Sequence, residues 1–456
     1  MDYHNCGLCI YSGNGMQRPD TKDYIFWRTP GYPLFLSTFY KLFGITQTKI
    51  NDNEKAIQIA LWTQVIINSF IPLFILFLAF AITNSLFVST VTAWIIALHP
   101  GFILSSGFLL SEGIALIFFF LFLLGLYSIL YKPSPQKSHS DLSKISADKS
   151  KNYTLLNFYR SNNVYFLVIF AALALGITTW IRPMGQFVLV VSVGLLFIFD
   201  NTPLKNRLKK IGLFTLIFFA SISPWYIRNY NLTGRFFFCP MFGVYLNTFN
   251  APKIVRRIKK VSLEDAIRML YEHAHLKINK KKKALTGTTR IVSKEAEVGQ
   301  LACKIICAHP FWFIYDWIKE VLKTIFDLYT YQLVALHNNI FKYDPVEEFL
   351  LTKWSETLWL KPLPSLTRLL AWLEVFYTLF LWIGIFLGNW FLILKPVTTK
   401  GLWALWQDPN RLWLITAFIM FSLVFMTGGF GYARLRLPAE PLLIILSLMG
   451  WIHISI

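Results

Sequence analysis

Five arginines and one glutamate stand where apolar segments begin or end. The arginines are Arg28, Arg182, Arg228, Arg434 and Arg436, and the glutamate is Glu112, in "LLSEGIALIFFF". A carboxylate in an otherwise apolar helix is costly and usually marks function. Guanidinium groups are planar and bind phosphate oxygens in pairs. Together these residue types predict chemistry on a phosphate at a membrane surface.

Each of these residues also has a simpler explanation. An arginine at a helix end can extend to the lipid headgroups at little cost, and Glu112 can be a structural partner of one arginine. The group as a whole is harder to explain in this way, because cations normally collect on the cytoplasmic side of a membrane. Both interpretations stay open at the level of sequence.

The composition predicts an all-α polytopic integral membrane protein. Of the 456 residues, 55% are hydrophobic and 15% are charged. Windows of about 17 to 25 apolar residues are long enough to cross about 30 Å of hydrocarbon. They predict about nine spans, near 57–81, 84–99, 102–131, 164–181, 183–199, 211–227, 372–394, 411–430 and 437–456.

Basic residues in three short connections orient these spans. The connections contain Lys132 to Arg160, Lys205 to Lys210, and Lys395 to Arg411, and such loops are typically cytoplasmic. This predicts an external N-terminal loop and juxtamembrane helix (1–56), transmembrane helices (57–227), a long external loop with amphipathic helices (228–371) and C-terminal transmembrane helices (372–456). The net charge of +20 therefore comes from basic loops, which can contact anionic lipid, and no nucleic-acid partner is expected.

The long loop offers two further patterns. Residues 310–334 carry a charge about every three to four positions, which predicts an amphipathic helix at the membrane interface. Glu272, His273 and His275 could bind a metal together with His309, but such pairs in a basic loop are usually solvated. We expect that the protein requires no cofactor or metal, although binding of a divalent metal stays open.

Five stretches resemble, in order, the successive motifs of GT-C membrane glycosyltransferases, above all glycosyltransferase family 39, the protein mannosyltransferase and aminoarabinose transferase group. They are "RTPGYPLFLSTFYKLFG", "HPGFILSSGFLLSEGIALIFFFLFLLGLY", "ITTWIRPMG", "SPWYIRNYNLTGRFFF" and "ARLRLPAEPLLIIL". The resemblance covers most of residues 24–235 and the last 25 residues. It implies a GT-C-like bundle in the inner membrane with its active site on the external, periplasmic face.

The resemblance also implies a reaction and roles for single residues. Family members transfer a sugar from a polyprenyl-phosphate donor to a lipid, glycan or protein acceptor, with inversion. Arg28, Arg182, Arg228 and Arg434 match cations near the donor phosphate, Arg436 joins them by position, and Glu112 matches a catalytic carboxylate. Such a reaction needs a base for the acceptor hydroxyl and cations for the departing phosphate.

The beginning of the chain departs from the family pattern. Tyr3 and "SGNG" match part of the first external loop, but the span and the Asp that precede this Tyr in the family have no counterpart. Asp2 is the nearest carboxylate, and Asp20 and Asp23 are later candidates. Either Asp2 is the base, or the sequence is a fragment or a wrongly started reading frame, which is the expectation we favour. Two other functions stay open: a transporter or flippase of a lipid-linked anion, and a truncated, non-catalytic relative.

Overall fold

The protein is helical throughout the part that the structure describes. A computed structural model describes residues 2–17, 24–44, 50–130, 163–240, 243, 245–281, 287–330, 365–406, 410–426 and 433–453. Within these residues the β-pairing consists of one isolated bridge, between Gln17 and Tyr24. The predicted all-α membrane architecture is confirmed.

The helices fall into an N-terminal group, a loop group and a C-terminal group. The first group is α1 (Asp2–Tyr11), α2 (Gly31–Leu42), α3 (Ile50–Asn68), α4 (Ile71–Thr83), α5 (Leu86–Leu98), α6 (Pro100–Ser106), α7 (Glu112–Leu130), α8 (Val164–Ile181), α9 (Gly185–Phe199) and α10 (Leu204–Thr233). The loop group is α11 (Ala251–Lys259), α12 (Leu263–Lys281), α13 (Gly287–Ala308) and α14 (Pro310–Phe326). The last group is α15 (Ser365–Asn389), α16 (Lys395–Lys400), α17 (Asn410–Phe425), α18 (Ala433–Arg436) and α19 (Glu440–Ile452).

Several of these helices can cross a membrane. Among the described residues, five helical segments are long and apolar enough: Glu54–Thr83 (α3 with α4), Glu112–Leu130 (α7), Val164–Ile181 (α8), Leu204–Thr233 (α10) and Leu369–Lys400 (α15 with α16). A bent pair, α5 with α6, makes a sixth if it counts as one span, and α9, α17 and α19 are shorter apolar helices. The chain is therefore a multi-pass membrane protein, while the count of about nine spans stays a prediction.

The expectation of one span over 102–131 is wrong for residues 102–111. Helices α5 and α6 meet at an angle of 52° at His99 and Pro100, and α6 ends at Ser106. Pro100 suits the first position of a new helix, because it lacks the N–H that would otherwise be unsatisfied there. The span itself begins at Glu112, so this carboxylate opens its helix.

The spanning helices place two groups of residues at opposite ends of the bundle. At one end, Arg411 donates hydrogen bonds to the carbonyl oxygens of Leu130, at 3.1 Å, and Phe199, the last residues of α7 and α9. Lys210 and Asp200 form a buried ion pair of 2.7 Å next to the end of α9. The other end contains the beginning of α7 and the end of α8, and we call it the Glu112 end.

The loop helices pack on one another around a small core of their own. Leu246, Ala251, Val255, Ala266, Leu270 and Ala302 form this core. Helix α14 lies within the predicted amphipathic segment 310–334, whose last four residues are outside the described part. The side chains of Lys280 to Lys283 are also outside it.

Candidate active site

The turn that contains Arg28 packs directly on the end of α8. The hydroxyl of Thr29 donates a hydrogen bond of 2.6 Å to the carbonyl oxygen of Ile181. A Cβ on Gly31 would lie 2.6 Å from the carbonyl carbon of Trp180, so only glycine permits this approach. The turn and the residue after α8, Arg182, are therefore held in the same region.

Glu112 contacts two arginines through one oxygen. Its Oε1 lies 3.0 Å from Nη1 of Arg182 and accepts a 2.8 Å hydrogen bond from Nε of Arg434, with a further contact from Nη2. The side chain of Glu112 is 4% exposed, against 25% for Arg182 and 39% for Arg434. The two cations can therefore bind another anion from the solvent side without leaving Glu112.

The second oxygen of Glu112 lacks a hydrogen-bond partner among the residues that the structure describes. Within the described residues Oε2 is buried and makes no hydrogen bond. Glu112 contributes to the lining of a small cavity together with Ala115, Leu116, Arg182, Met184, Leu437 and Pro438. A buried acceptor without a partner is costly, so it is well placed to receive a proton or a hydroxyl from a bound molecule.

Arg28 lies against the N-terminal helix beside this group. Its guanidinium lies 4.6 Å from the ring centroid of Tyr3, and the Tyr3 hydroxyl lies 3.3 Å from the hydroxyl of Ser111, the residue before Glu112. Tyr245, next to the loop helices, interacts electrostatically with Arg28, Arg182 and Tyr3. Burial raises the pKa of the Tyr245 phenol, and Arg182 and Arg28 act in the opposite direction.

Arg436 lies in a separate buried network. It is 2% exposed and contacts Glu440 at 2.7 Å, and it donates to the carbonyl oxygens of Thr324, Ile325 and Asp327. His99 lies 3.3 Å from the other oxygen of Glu440, which also accepts a hydrogen bond from Tyr377. The structure does not bring Arg436 to Glu112, because its donors are used to join α14, α18 and α19.

Arg228 is surrounded by aromatic rings. Its guanidinium lies 4.2 Å from the ring centroid of Trp225, 5.4 Å from that of Tyr24 and 5.5 Å from that of Phe26. It also donates a 2.8 Å hydrogen bond to Asn229. These contacts attach residues 24–26 to α10, and they do not include Glu112. A role for Arg228 at the donor phosphate stays a prediction.

The last predicted site residue is Asp2, which opens α1. Its side chain lies outside the described residues, but the contact of Tyr3 with Ser111 brings the beginning of α1 close to Glu112. Among the described residues, no group of three or more His, Cys, Asp or Glu side chains could hold a metal ion. The side chain of His275 lies outside the described residues, so the possible metal site at Glu272, His273, His275 and His309 stays open.

The sequence did not single out Asp327, which supports Arg434, or two carboxylates in the neighbouring network of Arg436. Asp327 accepts a 2.8 Å hydrogen bond from the N–H of Ala433, the residue before Arg434. Glu374 accepts hydrogen bonds from the N–H groups of Tyr329 and Thr330. Glu440, in "PAEPLLIIL", had a detectable signal, because it is a carboxylate at the start of an apolar run, as Glu112 is. Asp327 and Glu374 had no comparable signal.

Comparisons with known proteins give results only for the fold. No family model matches the chain, and no curated protein matches it. Among solved structures the chain is similar to the archaeal oligosaccharyltransferase AglB from Archaeoglobus fulgidus, in complex with an inhibitory peptide and a dolichol-phosphate, with 12% identity, a TM-score of 0.49, and coverage of 99% of this chain and 46% of that chain.

It is also similar to apo ArnT from Cupriavidus metallidurans, with 11% identity, a TM-score of 0.32, and coverage of 99% of this chain and 72% of that chain. Both proteins have the GT-C fold, the class whose motifs the sequence resembles. The chain spans less than half the length of AglB. At these scores and identities the two likenesses carry no argument about activity.

Proposed function

We propose that the chain is a membrane glycosyltransferase that takes a sugar from a polyprenyl-phosphate donor. The observation that carries this proposal is the Glu112 group: a buried carboxylate that lines a small cavity, contacts two partly exposed guanidiniums through one oxygen and, within the described residues, makes no hydrogen bond with the other. A cation pair beside a base is the combination that transfer from a phosphate requires.

The proposed reaction needs one proton acceptor and one anion site. A carboxylate takes the proton of the acceptor hydroxyl while its oxygen bonds to the anomeric carbon with inversion. The bond from that carbon to the phosphate oxygen breaks, and the lipid phosphate leaves with the electron pair. Arg182, Arg434 and Arg28 stabilise the charge that develops on it. The two candidate bases are Oε2 of Glu112 and Asp2.

The proposed acceptor is a lipid, a glycan or a protein, and the proposed location is the external face of the inner membrane. A transporter of a lipid-linked anion would use the same cations, but transporter sites lie near the middle of the bilayer between broken helices. Here Glu112 opens α7 and Arg182 follows the last residue of α8. Charged groups at helix ends favour chemistry at an interface.

The test is the release of free polyprenyl phosphate by the purified chain in lipid vesicles. A panel of sugar-loaded polyprenyl phosphates, together with lipid, glycan and peptide acceptors, is offered to the wild type, Glu112→Gln, Asp2→Asn and Arg28→Ala. We expect release by the wild type and a loss of about 100-fold or more in Glu112→Gln, because a general base typically contributes 10²–10⁴-fold. Asp2→Asn identifies which carboxylate is the base.

The matched control is Arg268→Ala, which removes an arginine whose side chain is 64% exposed on the loop helix α12. It should release donor phosphate at the wild-type rate. If Glu112→Gln and Arg28→Ala also keep that rate while remaining inserted and folded, the site assignment is wrong. Absence of release by the wild type from every donor would contradict the proposed function for this chain.

A further inference from the structure

We propose that the outer face of α14 is a lipid-binding surface that lies in the headgroup region of the membrane at the Glu112 end of the bundle. The sequence predicted an interfacial helix, but it did not tell which face meets the lipid. The structure assigns that face, and the assignment is independent of the proposed enzymatic function.

Three of the four charged side chains of α14 face the protein. Asp316, Glu320 and Lys323 are at most 9% exposed. Arg257 of α11 contacts both carboxylate oxygens of Asp316 at 2.6 Å, and Lys253 of α11 contacts Glu320 at 2.6 Å. These ion pairs are formed with another loop helix, so the polar face of α14 is already occupied within the chain.

The apolar side chains of α14 face outward. Their exposed fractions are 71% for Phe311, 54% for Ile314, 49% for Tyr315, 51% for Ile318, 48% for Leu322 and 45% for Phe326. These residues recur every three or four positions, which places them along one side of the helix. A soluble surface helix has the opposite arrangement, with its charges in water and its apolar residues in the core.

This outer face continues into the surface of a membrane helix. The ring nitrogen of Trp317 donates a 3.1 Å hydrogen bond to the carbonyl oxygen of Phe425, the last residue of α17. The rings of Phe326 and Trp382 lie 6.3 Å apart, as do those of Trp382 and Phe421. Phe418, Phe421 and Phe425 are 46–55% exposed on α17, so the apolar surface is continuous from α17 to α14.

The residue types of α14 indicate that lipid headgroups contact its outer face. Its four central charges, at 316, 319, 320 and 323, exclude a transmembrane position. Tryptophan and tyrosine at 312, 315 and 317 are the residue types enriched at the boundary between lipid and water. Lys319 is exposed on the same helix and can contact anionic headgroups. A helix of this kind lies about 5–10 Å into the boundary.

The test uses nitroxide labels on the full-length chain in vesicles of phosphatidylcholine and phosphatidylglycerol. The background replaces the two exposed cysteines, Cys303 and Cys307, with serine. Single labels are placed by Ile314→Cys and Ile318→Cys, and Arg268→Cys is the matched exposed control on α12. Frequent collisions of the nitroxide with oxygen indicate that the label lies in lipid. Frequent collisions with a water-soluble nickel chelate indicate that it lies in water.

We expect the ratio of oxygen to nickel collisions to be several-fold higher at 314 and 318 than at 268. Equal, water-like ratios at the three positions would overturn the proposal. A second outcome would also overturn the proposal: few collisions with either reagent at 314 and 318, together with spin–spin broadening between chains. That result would show that a second copy of the chain covers this face. Because each label replaces an exposed residue, retention of the folded state is checked by gel filtration before reconstitution.

Discussion

Arg434 and Arg436 are two positions apart and have opposite environments. The side chain of Arg434 is 39% exposed and contacts Glu112, while Arg436 is 2% exposed and contacts Glu440. Residues i and i+2 of a helix point in different directions, so one short helix, α18, supplies both contacts. The sequence placed both arginines at the same helix end, but it could not separate them without the backbone geometry.

The two arginines should therefore respond differently to removal of their charge. Arg436→Met leaves Glu440 as a buried charge without its main partner, and we expect the free energy of unfolding to fall by about 3–5 kcal/mol. Arg434→Met leaves Arg182 beside Glu112, so we expect little change in thermal stability and a large loss of transfer. Thermal unfolding in detergent and donor release measure the two effects. Equal destabilisation by both variants would contradict this division of roles.

Asp327 should make stability depend on pH. Burial raises its pKa to about 6 from an ordinary value of 3.8, against the effects of Ala433 N–H, Lys323 and Arg436. Between pH 4 and pH 6 the folded state therefore holds a proton that the unfolded state has lost, so stability falls as the pH rises through this window. The full contribution is roughly 3 kcal/mol.

Asp327→Asn tests this expectation, because an amide stays neutral and its oxygen still accepts from the N–H of Ala433. The unfolding temperatures of the wild type and the variant should agree most closely near pH 4. The wild type should then lose stability relative to Asp327→Asn as the pH rises to 7. Parallel curves over the whole range would assign the pH dependence to other groups.

At the scale of elements, hydrophobic periodicity predicted most helices and missed the break before α7. The predicted segments 57–81 and 164–181 correspond to the helices Glu54–Thr83 and Val164–Ile181. The stretch from Pro100 to Ser111 is apolar enough to continue a span, and composition cannot report that α6 ends at Ser106 and that α7 begins only at Glu112. Tertiary contacts hold this break: Gln64 of α3 donates hydrogen bonds to the carbonyl oxygens of Ser105 and Phe108.

The junction of α2 with α8 gives a prediction about glycine. In Gly31→Ala the new Cβ would lie 2.6–2.8 Å from three backbone atoms of Trp180 and Ile181, which cannot move independently of α8. We expect a loss of about 1–3 kcal/mol of stability from overpacking. We also expect reduced donor release, because the Arg28 turn is displaced from Arg182. Thermal unfolding and release are measured together.

Gly212→Ala is the control for the same substitution in a helix. A Cβ at position 212 of α10 meets no atom within 4 Å. Alanine has a higher helix propensity than glycine by up to about 1 kcal/mol, so this variant should be neutral or slightly more stable. If Gly31→Ala behaves in the same way as Gly212→Ala, the close packing of α2 on α8 does not contribute to stability.

At the scale of the whole molecule, the bundle has two chemically different ends. The positions of the basic connections predicted this division, since alternation of spans fixes which loops share a side. The structure agrees on the relative positions: Arg411 meets the ends of α7 and α9, and Glu112 meets Arg182 and Arg434 at the other end. The sequence could not predict the individual contacts, because they join residues far apart in the chain.

Membrane sidedness is tested with a thiol reagent that does not cross membranes. In the background that lacks Cys303 and Cys307, Lys205→Cys reports the beginning of α10, and Arg268→Cys reports the loop helices. We expect labelling at 268 in intact cells and labelling at 205 only after permeabilisation. The reverse pattern would place the Glu112 end in the cytoplasm and would contradict the proposed external site.

The pairing of Glu112 with Arg434 also determines when the site can exist. The two residues are 322 positions apart, and a chain is made and folded from its N-terminus. During synthesis Glu112 can meet Arg182 first, whereas Arg434 emerges only after the 322 positions between it and Glu112 have been made. Competence for the proposed reaction therefore comes long after Glu112 has entered the membrane. Nascent chains already inserted in the membrane have no complete site with which to consume the donor.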